Sequence, residues 1–445
     1  MLSLSVIAVA IFIAGYLFIT LEHTVKTHKS GIALLMAALL WTTVAFSGLN
    51  SNTITELLNH AGAEIFGLIT FLLAAMTLVE VLIHYRFFDV VRAKITQLGL
   101  GDRGQFFLIA ALTFFFSAVL DNLTVTIIMV QIARRFFAEE RLLIAVTGIV
   151  ILANAGGAWS PIGDVTTIML WLADKFSAIQ IISWGFLPSL AMGLVATFLI
   201  GNHLSKNRGG NEKCEEVRLC APEKTVITLA FGSFTLPVIF HLAHLPPYLG
   251  LLFGLGVTWL FIEYFKHHSK QDFETKQTNL ERLVQKTDIA SIKFFIGILL
   301  SVSALGALGL LDALSLLVFG EAPSIMRLGI GSSVMGLLSA IVDNVPLTAL
   351  AIDLIHIENP ALWALTAVTV GTGGSLLLVG SVAGVIAAGM VPELTFGKYA
   401  RYAFTPVLVG YFLAIAVWVG QYALFTPEYV EASPHTPQQE MVESH

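Results

Sequence analysis

Ser117-Ala118-Val119-Leu120-Asp121-Asn122-Leu123-Thr124-Val125-Thr126 aligns without a gap on Ser339-Ala340-Ile341-Val342-Asp343-Asn344-Val345-Pro346-Leu347-Thr348, at an offset of 343 − 121 = 222 residues. Both segments sit inside apolar sequence, and each carries an Asp-Asn pair at its centre. An ionised carboxylate in hydrocarbon costs at least ~2.5–3.5 kcal/mol on insertion scales, so such acids face a partner, water or an ion. Two acids placed equivalently in two halves point to one central site built from a repeat, the arrangement expected of a carrier.

The rest of the chain agrees with a membrane setting. Of its 445 residues 56% are hydrophobic and 12% charged, with a mean hydropathy of +0.83. A soluble domain carries roughly 25% charged residues. Uninterrupted apolar runs occupy about 2–21, 31–49, 64–83, 182–201, 225–243, 248–265, 290–310 and 402–424. Four further apolar stretches, 106–135, 142–173, 328–356 and 361–391, are interrupted. The expected fold is therefore an all-α polytopic membrane protein. The run from Leu2 to Leu21 has neither a basic leader nor a small-residue cleavage site and reads as a retained span. No basic surface suited to nucleic acid is present. Cys214 and Cys220 lie in a polar loop without a histidine at ligand spacing, which argues against a zinc site.

Loop charge sets the threading. Lys26 and Lys29, then Arg86, Arg92, Lys94 and Arg103, then Arg134, Arg135 and Arg141, then the loops at 202–224 and 266–293, and finally Lys398 and Arg401 are all expected on the cytoplasmic side. Basic flanks at both ends of 106–135 force that segment to enter and return. Its legs hold about 14 residues, or about 21 Å of helix, short of the ~30 Å hydrocarbon core. A re-entrant hairpin with Asp121-Asn122 at its tip meets both constraints. The second copy has Arg327 against Asp312, Glu321 and Glu358 in its flanks and fits a hairpin entering from the opposite face. The expected organisation is a first inverted repeat over 1–201 (hairpin 106–135, broken helix 142–173), a cytoplasmic linker at 202–224, a second inverted repeat over 225–424 (hairpin 328–356, broken helix 361–391) and an acidic, disordered tail at 425–445. Both termini are expected outside.

Each hairpin is followed by a glycine-rich interruption. Asn154-Ala155-Gly156-Gly157 through Gly163-Asp164-Val165-Thr166-Thr167 aligns with Gly371-Thr372-Gly373-Gly374-Ser375 through Gly380-Ser381, at 373 − 156 = 217 residues. Glycine pairs permit the backbone conformations that end one half-helix and begin another. Carbonyls freed at that depth must face protein, water or a cation. Asp164 is an N-cap for a half-helix at Val165 and also a third carboxylate beside the site. Asn154 suits either a broken helix end or an ion. Thr166, Thr167, Thr372 and Ser375 are equally suited to intrahelical bonds and to coordination. Three carboxylates, with no Lys or Arg in the broken segments, favour a cation over an anion, and the same groups can carry protons. Glu64 and Glu80, and His60, His84, His241 and His244, lie at span ends, where interfacial roles are expected alongside pH sensing.

At these four motifs the sequence resembles the NhaD-type sodium/proton antiporters of the ion transporter superfamily, over about residues 60–420. The resemblance implies Na⁺ or Li⁺ exchanged for H⁺ by alternating access in the cell (inner) membrane, with no cofactor and no enzymatic step. It implies roles for Asp121, Asn122, Asn154, Asp164, Thr166, Thr167, Asp343 and Asn344; Asp121, Asp164 and Asp343 are expected to form the shared Na⁺ site. Thr372, Ser375 and Ser381 follow from it less directly. A lipid bilayer and, in many members, a homodimer are the implied partners. The superfamily's sodium-coupled carboxylate carriers place Ser-Asn-Thr at the hairpin tips, where this chain has Asp. The alternative is an anion or metalloid carrier of the same fold, dicarboxylate- or arsenite-like. An intramembrane aspartyl protease would require Gly-x-Gly-Asp, whereas Asp164 follows Pro161-Ile162-Gly163.

Overall fold

The computed structural model describes residues 2–20, 26–204, 219–268, 284, 287–319 and 324–425. Every regular element among them is helical. The first half comprises α1 (Leu2–Thr20), α2 (Lys29–Ala45), α3 (Ser51–His84), α4 (Phe87–Gln97), α5 (Asp102–Ser117), α6 (Asn122–Phe136), α7 (Glu139–Gly157), α8 (Val165–Leu172) and α9 (Ala178–Gly201). The second comprises α10 (Ala221–Ser233), α11 (Leu236–Leu242), α12 (Pro247–His268), α13 (Ile289–Ala307), α14 (Leu310–Phe319), α15 (Ile325–Leu338), α16 (Asn344–Leu354), α17 (Pro360–Gly373), a 3₁₀ turn at Gly374–Leu376, α18 (Val382–Met390) and α19 (Phe396–Phe425). Lys206, Arg208, Lys213, Cys214 and Arg218 of the linker, Glu321, and the tail from 426 lie outside the described residues. Cys220 is half-buried.

From α3 onward the order of elements in the first half returns in the second: α3 to α9 match α13 to α19. Among the described residues seven helices, α10 and α11 counted as one, are long and apolar enough to cross a membrane. Their outward residues are large and apolar, for example Ile179, Leu187 and Phe198 on α9 and Phe404, Phe412 and Leu413 on α19. Such a surface suits hydrocarbon rather than water. The two broken helices, α7 and α17, run through the centre and are almost wholly buried. In each half the broken helix packs between the hairpin helices and the last long helix: α7 with α5, α6 and α9, and α17 with α15, α16 and α19. The halves exchange contacts. α8 lies against α16 and α18 against α6, while α2 packs on α13 and α3 on α12. Each half-helix is therefore seated on the other half's hairpin.

Two regions depart from the sequence expectation. The run at 225–243, expected as one span, is two helices meeting at Phe234–Thr235. Pro237 supplies no N–H to the turn before it. Gly250 of α12 also packs onto the bend, where an added Cβ would lie 2.6 Å from the Leu236 carbonyl carbon. The basic segment at 84–105, expected as loop, contains α4. Phe88, Ala93 and Ile95 of it are buried, while Arg86 and Arg92 pair with Asp89 at 3.1 and 3.3 Å. A short amphipathic helix between spans suits the membrane interface.

Candidate functional site

The hairpin tips are built as helix starts. Asp121 caps α6, accepting from the Thr124 amide at 2.9 Å and the Thr124 hydroxyl at 2.6 Å. Asp343 caps α16 and accepts from the Val345 amide at 3.3 Å. The helix N-termini thus point their free amides and positive dipole ends at the two carboxylates. Asp164 and Ser381 take the same position at the starts of α8 and α18. Ser381 Oγ accepts from the Gly384 amide at 3.2 Å. The Asp164 amide donates to Thr167 Oγ1 at 3.3 Å, and that hydroxyl returns to the Asp164 carbonyl at 2.8 Å.

The glycines act by close approach. None of Gly156, Gly157, Gly163, Gly373, Gly374 and Gly380 has a positive φ, so the expectation that they supply unusual dihedrals is corrected. A Cβ on Gly156 would collide with the Phe114 carbonyl of α5, and one on Gly373 with the Gly336 carbonyl of α15. On Gly163 it would lie 2.5 Å from the Ser117 oxygen, and on Gly380 2.6 Å from the Ala340 oxygen. Equivalent glycines therefore let each hairpin's backbone touch its own broken helix.

A polar network crosses between the halves at these contacts. Asn122 Nδ2 donates to Asn154 Oδ1 at 3.0 Å and to Asp164 Oδ1 at 3.1 Å. The Thr166 hydroxyl donates to Asp164 Oδ2 at 3.0 Å. Asn154 Nδ2 then reaches the second half, donating to Ser375 Oγ at 2.8 Å and Ser381 Oγ at 3.0 Å. On the other side Asn344 accepts from Ser339 Oγ and donates to the Gly371 carbonyl at 3.4 Å. The Val370 carbonyl, 2.9 Å from Ser339 Oγ, is the alternative acceptor for that single hydroxyl hydrogen, in the position where Ser117 donates to the Ala153 carbonyl at 2.5 Å in the first half. Asn154, Thr166 and Ser375 are fully buried. Buried polar groups satisfied only by one another fix a single arrangement. Asn154→Ala would leave Ser375 Oγ without its partner and take one of two partners from Asn122 and from Ser381. With each unmade buried hydrogen bond worth about 1–3 kcal/mol, a rise of at least about tenfold in the half-saturating concentration of the bound species is expected in a transport titration.

Asp121, Asn122, Asp164, Asp343 and Asn344 line one cavity of about 50 Å³, closed by apolar side chains such as Phe71, Ile168 and Phe295. The three carboxylates sit around its wall and do not close on one point: among the described residues no three acidic, His or Cys side chains form a metal-holding group. Thr167 and Thr372 stand apart from the cavity network. Thr372 donates to the Val368 carbonyl of its own helix at 2.6 Å, as Thr167 does to Asp164. Among the interfacial groups, His60 lies 3.6 Å from Glu64 with both exposed, His84 packs edge-on against Tyr85 and His241 packs against Trp171.

One contact was not expected. Lys29, counted among the loop cations, starts α2 and directs its ammonium to Asp343 Oδ2 at 3.7 Å.

Short hairpins and broken helices from two similar halves, meeting on a buried polar cavity, define a polytopic membrane carrier. A family described as citrate transporter (CitMHS) matches residues 9–371. Sodium/proton antiporter 2 of Arabidopsis thaliana is 36% identical over 92% of this chain and 98% of its own length. The Na⁺/H⁺ antiporter NhaD of Alkalimonas amylolytica is 31% identical over 92% of this chain and 89% of its own length. The crystal structure of the Alcanivorax borkumensis YdaH transporter, described as having an unusual topology, covers 88% of this chain with a TM-score of 0.57 at 14% identity. That last likeness is one of fold. The chain belongs to the CitMHS transporter family, in its NhaD-type branch.

Proposed function

We propose that the protein is a secondary-active antiporter that exports Na⁺ or Li⁺ in exchange for H⁺ through the cavity between its two halves. The observation that carries this reading is the carboxylate of Asp164, held by Asn122 and Thr166 and linked through Asn154 to Ser375 and Ser381. A buried carboxylate among neutral amide and hydroxyl groups suits a hard monovalent cation and suits a proton equally. Competition of the two for one group is the minimal logic of an exchanger. The names of the relatives, sodium/proton antiporter and NhaD, agree with it.

In this reading Asp121, Asp164 and Asp343 bind the cation in turn as access alternates, with Asn122, Asn154, Thr166, Asn344, Ser375 and Ser381 supplying or positioning oxygens. Thr167 and Thr372 hold their helix starts and ends. The halves are inverted repeats in the inner membrane, both termini face outward, and rocking of one half against the other moves the site between faces. A homodimer in the bilayer completes the picture. No step is enzymatic and no cofactor takes part.

The family description names citrate, and Lys29 places one cation at the cavity's edge. That cation already faces Asp343, so three carboxylates against one ammonium leave the cavity acidic. An anion site would be expected to gather basic side chains instead. The test uses respiration-energised inside-out vesicles from a host lacking its own antiporters, with a pH-gradient dye. NaCl or LiCl is expected to collapse the gradient, KCl and citrate are not, and Asp121→Asn abolishes the response at unchanged membrane content. Silence to Na⁺ and Li⁺ with citrate uptake by the same vesicles would overturn the reading.

A further inference from the structure

The two hairpin acids are not held alike. At Asp121 both carboxylate oxygens are taken by Thr124, through its amide at 2.9 Å and its hydroxyl at 2.6 Å. The equivalent residue of the second hairpin is Pro346. Proline has neither an amide hydrogen nor a hydroxyl, so Asp343 lacks both donors. Its Oδ1 receives the Val345 amide at a longer 3.3 Å. Its Oδ2 faces Lys29 Nζ at 3.7 Å.

Lys29 has a second place to rest. Its Nζ lies 4.7 Å from the centroid of the Phe294 ring on α13, and α2 packs along that helix. A lysine is a compact charge on a flexible stem, and an aromatic face attracts an ammonium without binding it firmly. The ammonium can therefore leave the carboxylate while staying against the ring. The ion pair is only partly exposed, at 19% for the lysine side chain and 17% for the aspartate, so solvent screens it incompletely.

We propose that Lys29 is the resident counter-cation of Asp343, a tethered competitor that occupies this carboxylate until the transported cation displaces it, and so sets the apparent affinity for that cation. The inference rests on the exchange function proposed above. A Na⁺ on Asp343 and an ammonium on the same carboxylate repel, so the binding of one favours release of the other. Among the described residues Asp121, closed by Thr124, has no such mobile partner. Pro346 is what makes the two acids different, and Lys29 acts as a positioning residue at the site.

The test measures the Na⁺ concentration for half-maximal exchange in the vesicles described above. Wild-type vesicles come first: no response to Na⁺ there would defeat the function and leave nothing for Lys29 to compete with. Given a wild-type response, Lys29→Met is expected to lower half-saturating Na⁺ by about fivefold, equivalent to about 1 kcal/mol, and Lys29→Arg is expected to stay near wild type. A purely structural role would raise the half-saturating concentration or lower the maximal rate alone. An unchanged or raised value in Lys29→Met at normal membrane content overturns the proposal. Should Lys29→Met fail to insert, Lys29→Gln, which keeps a hydrogen-bond donor on an uncharged chain, is read by the same rule.

Discussion

Asp164→Asn is expected to reduce Na⁺-dependent proton movement to background while the protein still inserts at the wild-type level. The substitution keeps the shape of the side chain and one acceptor oxygen, so the start of α8 survives: Thr167 still accepts from the residue 164 amide and donates to its carbonyl. What disappears is the charge, at the point where Asn122 and Thr166 converge on the two carboxylate oxygens. A neutral amide cannot alternate between a proton and Na⁺, so no cycle remains. Ser381, at the matching position of the second half, shows that a cap needs no charge. An active Asp164→Asn variant would reduce this residue to a helix cap and leave Asp121 and Asp343 to carry exchange.

The second large effect is structural. Gly373→Ala is expected to destabilise the protein by at least about 3 kcal/mol, or to prevent its recovery from the membrane. The added methyl collides with the Gly336 carbonyl on α15. Backbone cannot rotate aside, and separating α15 from α17 would also draw Ser339 Oγ away from the Val370 carbonyl, 2.9 Å from it. Gly420 provides the contrast. It lies within α19 with nothing within 4 Å of an added Cβ, so Gly420→Ala is expected to be neutral or to stabilise by up to about 1 kcal/mol, the helix-propensity difference. Thermal unfolding of the two variants in detergent, read side by side, checks the pair. Equal melting temperatures would contradict the close-approach account of the glycine breaks.

The parts of this molecule legible in its sequence are those where membrane physics makes a residue rare. Asp121 and Asp343 stood out because carboxylates seldom enter apolar runs, and Gly156-Gly157 and Gly373-Gly374 because paired glycines interrupt helices. From these followed the expectation of short helices meeting at the two acids and of helices interrupted at the glycine pairs. The reason for the glycines was not legible, since close backbone approach depends on a partner some 40 residues away in sequence and leaves no local mark. Thr372 and Thr167 carry hydroxyls that suit either an ion or a helix carbonyl, and the sequence does not show that each donates to a carbonyl of its own helix. α4 was hidden by its charges, although Phe88 and Ile95 stand two helical turns apart. Lys29 was hidden by its neighbours: beside Lys26 it reads as one more loop cation. The clue to it lay far off, in Pro346 standing where Thr124 closes the other acid.

The central claim is that Na⁺ and H⁺ compete for one buried carboxylate. It is tested most directly on purified protein in weakly buffered detergent solution, by recording proton release as NaCl is added. The account predicts release that saturates with Na⁺ or Li⁺, is absent with choline chloride or choline citrate, and is lost in Asp164→Asn. Na⁺ binding detected calorimetrically without any proton release, or proton exchange driven by citrate instead, would contradict it.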